Sequence, residues 1–254
     1  MTAPDGPPRL TRLTFHGPLS ESRADRLVAR LAAGAPATVL DIGCGWGELM
    51  LRLLAAVPGA RGIGLDLNEE DLARGRRNAE LRGLADRVDF LAESATGTGR
   101  GPADVVLCLG AAQALSSLEP PGHIPAAFEA LRGLVAPGGR VLFGDGFWER
   151  PPTEGELAAM WPGAHAGEFT DLAGLVDLAH EAGFRAAWID PATLEEWDEF
   201  ESGYRADVEE WLAAHGDHPL AAQTRERADG HRARWLRGYR GVLGLAYLTL
   251  VPVG

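Results

Sequence analysis

Three alternating glycines flanked by acids carry the most legible chemistry in this chain. Val39-Leu40-Asp41-Ile42 is a short apolar run that opens onto Gly43-Cys44-Gly45-Trp46-Gly47-Glu48. A second apolar run, Gly62 to Leu67, brings Asp66 to its end, 23 positions after Gly43. A strand that passes directly into a helix must turn sharply, and glycine, with no Cβ, permits both the turn and close approach of a ligand. The first N–H groups of the following helix face whatever sits in that turn, with the positive end of the helix dipole behind them. A carboxylate or phosphate is favoured there. An acid closing the next strand, roughly 20 residues on, accepts hydrogen bonds from two ribose hydroxyls. The pattern points to a nucleoside ligand at the carboxyl ends of parallel strands.

The spacing narrows the nucleoside. A dinucleotide fingerprint reads G-x-G-x-x-G, and its third glycine would fall on Glu48. Here the glycines run G-x-G-x-G behind Asp41, which resembles motif I of the class I S-adenosylmethionine (SAM) methyltransferases. The resemblance implies that Asp41 helps hold the methionine amino group, that Gly43, Gly45 and Gly47 let backbone approach the cofactor, and that Asp66 binds the ribose. It also places Cys44, Leu67 and Leu109 beside the cofactor. SAM has no phosphate, so the helix end would serve its carboxylate. On the third strand, Arg87 to Ala95, the family sets an acid or amide near the adenine; alignment on Phe90 puts Ser94 there, with Glu93 beside it. Asp104 to Gly110 reads as a fourth strand. Pro137-Gly138-Gly139 followed by Val141 to Gly144 reads as the loop and fifth strand, so the likeness runs from about Thr38 to Asp190 plus a final strand.

The implied fold is α/β: a three-layer, Rossmann-like seven-stranded sheet, mostly parallel with an antiparallel last strand. Helices cover both faces, and a helical insertion precedes the last strand. The expected organisation is one methyltransferase domain, with an N-terminal helical segment (1–37), a cofactor-binding core (38–190), an insertion (191–240) and a final strand (241–254). Ser22 to Ala33, Glu48 to Ala56, Asn68 to Leu81, Ile124 to Val135 and Leu172 to Ala182 have helical periodicity.

Charge excludes several functions. Thirty-six acids against 24 bases give −12, and every base is arginine. Such a chain repels polyanions, and it has no lysine for a Schiff base or a phosphate-binding loop. Nucleic acid is therefore not an expected partner. No apolar run is long enough to span a bilayer or serve as a signal segment. Cys44 and Cys108 lie in apolar contexts and read as reduced core thiols of a cytoplasmic protein. No metal-ligand spacing is visible.

The insertion interrupts the core pattern. Glu195 to Leu212 carries eight acids against Arg205, whereas Thr224 to Arg240 carries six arginines against Glu226 and Asp229. Two antiparallel helices of opposite charge would attract along their flanks. The expected apolar stripe of the first is Trp197, Phe200, Tyr204, Val208 and Trp211.

Acceptor-site candidates lie at strand ends and in this insertion: Gln113, Trp148 and Tyr204 for substrate, and His16, Asp145 and Glu149 for a general base. The resemblance implies a bacterial small-molecule enzyme, related to ubiquinone/menaquinone C-methyltransferase-like proteins, working as a monomer or homodimer. The cofactor would be SAM, leaving as S-adenosylhomocysteine (SAH). Two other readings stay open: a non-catalytic SAM-binding partner protein, and a nucleotide-dependent oxidoreductase.

Overall fold

A computed structural model describes residues 6–254. The chain divides into two compact units. Among the described residues, the larger comprises 20–147, 167–191 and 244–254, and the smaller 6–19, 148–166 and 192–243.

The larger unit is built on seven strands: β1 (Thr38–Ile42), β2 (Arg61–Asp66), β3 (Val88–Ala92), β4 (Ala103–Leu109), β5 (Val135–Trp148), β6 (Phe184–Pro191) and β7 (Leu243–Pro252). Their order is β3-β2-β1-β4-β5-β7-β6. The pairs from β3 to β5 are parallel, and β6 and β7 are antiparallel. Helices α1 (Glu21–Ala32), α2 (Glu48–Ala56), α3 (Glu69–Leu81), α4 (His123–Leu134) and α6 (Leu172–Glu181) flank this sheet, and α5 (Glu154–Ala159) belongs to the smaller unit. The β-period and the helix stripes meet in one core, where the rings of Phe143 and Phe184 pack at a tilt against Phe128. Strand reversal about β1 and β4 creates a switch point, and open α/β sheets bind ligands at the carboxyl ends there.

Two expectations about elements need correction. First, β5 does not stop at Gly144 but runs through Asp145 and Gly146 to Trp148. Phe147 and Trp148 are buried, and the Glu149 amide bonds the Val242 carbonyl at 2.9 Å, so the edge of the strand stays paired. Second, the short α5 follows Pro151-Pro152 where no helix was expected. Thr153 and Glu156 form a reciprocal capping box that starts it.

In the smaller unit, α7 (Leu194–Ala214) and α8 (Ala221–Arg234) form the expected helical pair, and a single π-helical turn, Trp235–Tyr239, follows α8. The expected apolar stripe on α7 is present in part: Trp211 is buried with Val208 packed against its cluster, and Trp197 packs on Tyr239 with ring centroids 6.2 Å apart. Glu196, Glu201 and Asp207 are buried, whereas Tyr204 is 39% exposed. Each acid is inside because donors meet it. Glu196 closes a capping box with Thr193. Asp207 accepts from the Thr11 amide and hydroxyl, both at 2.6 Å. Glu201 accepts from the Tyr239 hydroxyl at 2.7 Å. The opposite charges of the two segments meet, among the described residues, where Arg240 just after the π-helical turn pairs with Asp198 of α7 at 2.7 Å, and other pairs are local. Arg205 pairs with Glu209 and Arg232 with Asp229, each within its own helix. Among the described residues, His231 is the α8 side chain that reaches an acid of α7, with Nε2 3.4 Å from Glu201.

A buried acceptor left without its donor costs more than the bond itself was worth. Tyr239→Phe is therefore expected to destabilise the protein by about 1–3 kcal/mol. Glu201→Gln, which keeps an acceptor for the phenol, should lose less; denaturant midpoints give both values. No helix among the described residues is long and apolar enough to cross a membrane.

Candidate functional site

The glycine turn sits at the carboxyl end of β1. Gly43, Gly45 and Gly47 have φ of +61°, +54° and +64°. At Gly43 a Cβ would lie 2.4 Å from the Cβ of Ala111, which begins the turn after β4. At Gly47 it would lie 2.7 Å from the Phe90 ring of β3. These two positions thus need glycine both for backbone conformation and for packing against β3 and β4. Gly47 is also the N-cap of α2 and supplies no side-chain cap, so the first turn of α2 keeps N–H groups for an outside acceptor.

Asp66, ending β2, is held in place by two amides. Oδ2 accepts from Gly45 at 2.7 Å and Oδ1 from Asn68 at 2.8 Å. Each oxygen retains a lone pair for another donor. Asn68 in turn caps α3, its side chain accepting from Glu70 and Asp71. The neighbouring Leu67 is 77% exposed, an apolar face beside the acid.

Asp41 is different. It is 6% exposed, and no hydrogen-bond donor reaches its carboxyl among the described residues. Burial first, and the charge of Asp66 second, push its pKa up to about 8. A buried carboxyl beside a second carboxylate, with no cation supplied by the protein, matches a cationic ligand. It opposes a pyrophosphate. The residues therefore fit SAM, which brings an ammonium and a sulfonium, and fit a dinucleotide poorly.

Other proposed cofactor residues are engaged within the protein. Arg100 grips Glu93 through two bonds, at 2.9 and 2.8 Å, and holds its carboxyl below the usual range. The Ser94 hydroxyl accepts from the Thr96 amide. Burial and the neighbouring acids Asp41 and Asp66 raise the Cys44 thiol well above its ordinary value, so it is no nucleophile. Leu109 closes β4 opposite Gly144 of β5.

Asp145 lies in the larger unit with these residues. It is buried, and burial lifts its pKa to about 6 against the opposing pull of the Gly146 and Ala112 amides. It thereby ties β5 to the 3-10 turn Ala112–Ala114 that carries Gln113, whose amide donates to the Gly110 carbonyl at 3.2 Å. His16, Glu149, Trp148 and Tyr204 belong to the smaller unit. His16 and Glu149 are exposed there. Trp148 is buried and donates its indole N–H to Ala166 at 2.9 Å, whereas Tyr204 packs on His231 with ring centroids 4.9 Å apart. Sequence reasoning did not find Ala111 as the wall opposite Gly43. A small residue after the β4 glycine carries no chemical signature, so only the fold exposes it. No grouping of His, Cys, Asp and Glu able to hold a metal occurs among the described residues.

Comparison with known proteins agrees with this geometry. A family described as a methyltransferase domain matches residues 40–141. Two solved structures, SAM-dependent methyltransferases of Geobacter sulfurreducens and Thiobacillus denitrificans, superpose with TM-scores of 0.82 and 0.81. Each is 26% identical, with 97% of this chain and 99% of the other covered, and each holds SAH. Over nearly its whole length the chain is thus similar to SAM-dependent methyltransferases. The uncharacterised YjhP of Escherichia coli K12 is similar to this chain over 238 residues at 29% identity, covering 93% of each chain.

Proposed function

We propose that the protein transfers the methyl group of SAM to a small-molecule acceptor by in-line displacement. The observation that carries this reading is the partnerless, buried Asp41 carboxyl beside Asp66 on the glycine turn. Bound SAM would supply an activated sulfonium methyl. The chain's own work is then to bind, orient and exclude water, and positioning contributes up to roughly 7–11 kcal/mol in favourable systems. Asp66 would take the ribose hydroxyls, Asp41 the methionine ammonium, Leu67 the adenine face and the open N–H groups of α2 the carboxylate. Glu93 and Ser94 contribute less than the resemblance implies, since Arg100 and Thr96 already occupy them.

Among the general-base candidates Asp145 is favoured, because it shares the larger unit with the cofactor residues and protonates near neutrality. The Phe147-Trp148 phrase, the Arg150-Pro151-Pro152-Thr153 run and the insertion support placement with bacterial small-molecule enzymes related to ubiquinone/menaquinone C-methyltransferases. Two free cysteines support a reducing, cytoplasmic setting.

The Asp41 assignment has a calorimetric signature. At pH 7 the ligand-free folded protein holds a proton on Asp41 that the unfolded chain, with an ordinary carboxyl, has already released. Its contribution to stability is thus complete below about pH 4 and is lost as pH rises through about 8. An arriving ammonium favours the carboxylate, so binding of SAH at pH 7 should release a proton. The titration is expected to be more exothermic in Tris than in phosphate, and Asp41→Asn should erase that difference. A wild-type enthalpy independent of buffer would reject the role. Formation of SAH from SAM with small-molecule extracts, followed by mass spectrometry of the methylated product, tests the activity itself.

A further inference from the structure

The smaller unit contains a groove of about 370 Å³ that the methyl-transfer reading does not use. Its walls are Leu157, Met160, Trp161 and Gly163 from α5 and the turn after it, and Arg234 from the end of α8. That volume lies within the range of small-molecule pockets. Its lining combines one aromatic ring, several apolar side chains and a single charged group, Arg234.

Arg234 is the unusual member. Among the arginines of this unit, Arg150 is neutralised by Glu156, Arg205 by Glu209, Arg232 by Asp229 and Arg240 by Asp198, whereas Arg225, Arg227 and Arg237 are exposed to solvent. Arg234 is half-buried, yet among the described residues no carboxylate lies within ion-pair distance of it. In a chain with 36 acids and a net charge of −12, a sheltered arginine without an acid calls for another partner.

The groove is also rigidly backed. Arg234 is the last residue before the π-helical turn Trp235–Tyr239, and such turns re-aim side chains and recur at functional sites. Gly238 of that turn packs so closely that a Cβ would lie 2.9 Å from Cγ of Met160. The Trp161 ring rests on Tyr239, centroids 6.3 Å apart, and the Tyr239 hydroxyl is fixed by Glu201. His231, eight residues before Tyr239 along the chain and 3.4 Å from its hydroxyl, completes the support. Burial first, and then the charge of Arg234, hold the His231 ring below its ordinary pKa, so it stays neutral at pH 7 and does not compete as a cation.

We propose that this groove is a second small-molecule site that takes an aromatic carboxylate, with Arg234 as its counter-ion and Trp161 as its stacking face. A guanidinium fork matches a carboxylate in two parallel bonds, and an indole face matches a planar ring. The Glu201–Tyr239–His231 set positions both without touching the ligand. The proposal rests on the smaller unit alone and does not depend on the methyl-transfer reading.

Ligand-observed NMR with the whole protein tests it, using benzoate as the probe. Benzyl alcohol, acetate and inorganic phosphate serve as comparisons. Benzoate should bind saturably, and benzyl alcohol and acetate each at least tenfold more weakly, one lacking the charge and the other the ring. Arg234→Gln and Trp161→Leu should each weaken benzoate at least tenfold. Arg225→Gln, on the exposed side of α8, should leave it unchanged. SAH affinity, measured in the same samples, should stay at the wild-type value in every variant, which shows that the protein is folded and separates this claim from the cofactor claim. Absence of saturable benzoate binding would overturn the proposal. So would equal affinity in Arg234→Gln, or phosphate binding as tightly as benzoate.

Discussion

Asp66→Ala is expected to lower the affinity for SAH by at least about 100-fold. The argument rests on what the carboxylate does at the end of β2. One face is spent on the amides of Gly45 and Asn68, which fixes the acid against the glycine turn and the start of α3. The remaining lone pairs are what a ribose can use. Hydrogen bonds to a charged acceptor are worth about 1.5–3 kcal/mol each, so loss of two exceeds the roughly 2.7 kcal/mol that corresponds to a hundredfold change. Asp66→Asn removes the charge and half of the acceptors while keeping the shape, and should fall between the two. Calorimetric titration reads the affinity, and the melting temperature of the ligand-free variant separates lost contacts from lost structure. An Asp66→Ala protein that is folded and binds SAH as the wild type does would remove Asp66 from the site.

The second large effect belongs to Gly43→Ala. Left-handed backbone costs a non-glycine residue roughly 1–2 kcal/mol. The added Cβ also meets Ala111 Cβ at 2.4 Å, far inside contact distance, so the turn after β4 must move. Overpacking of this kind costs typically about 1–3 kcal/mol. The sum, about 2–5 kcal/mol, should appear as a lower denaturation midpoint together with weakened SAH binding. Coupling between the two positions provides the check. Ala111→Gly makes room for the methyl, so the double variant should recover the steric part and retain only the backbone part. Strict additivity of the two substitutions would mean that the contact does not govern the turn.

Legibility in the sequence followed the physics of each signal. The cofactor half was readable because strand-turn-helix chemistry is local: Asp41, Gly43, Gly45, Gly47 and Asp66 are fixed by short-range spacing, and the structure gathers them at the carboxyl ends of β1 and β2. Helix limits such as Glu48–Ala56 were legible for the same reason, with Gly47 before the helix and Pro58 shortly after it. What failed was any inference that needed a distant partner. The apolar stripe of α7 was legible at Trp211 and Val208, but the buried Glu201 and Asp207 were not, because each is tolerated inside only with Tyr239 or Thr11 opposite, and neither is near in sequence. The length of β5 was underestimated because pairing at its end, not local propensity, carries it to Trp148. Arg234 was not distinguishable among six arginines of its segment, since only the fold shows which of them is sheltered and lines a groove.

The central claim is that two acids on a glycine turn select SAM over phosphate-bearing nucleotides. A calorimetric titration of the wild-type protein with SAH, and in parallel with NAD and NADP, tests it most directly. Saturable binding of one SAH per chain, with no heat from NAD or NADP, is the predicted result. Binding of NAD or NADP, or the absence of any SAH binding, would contradict it.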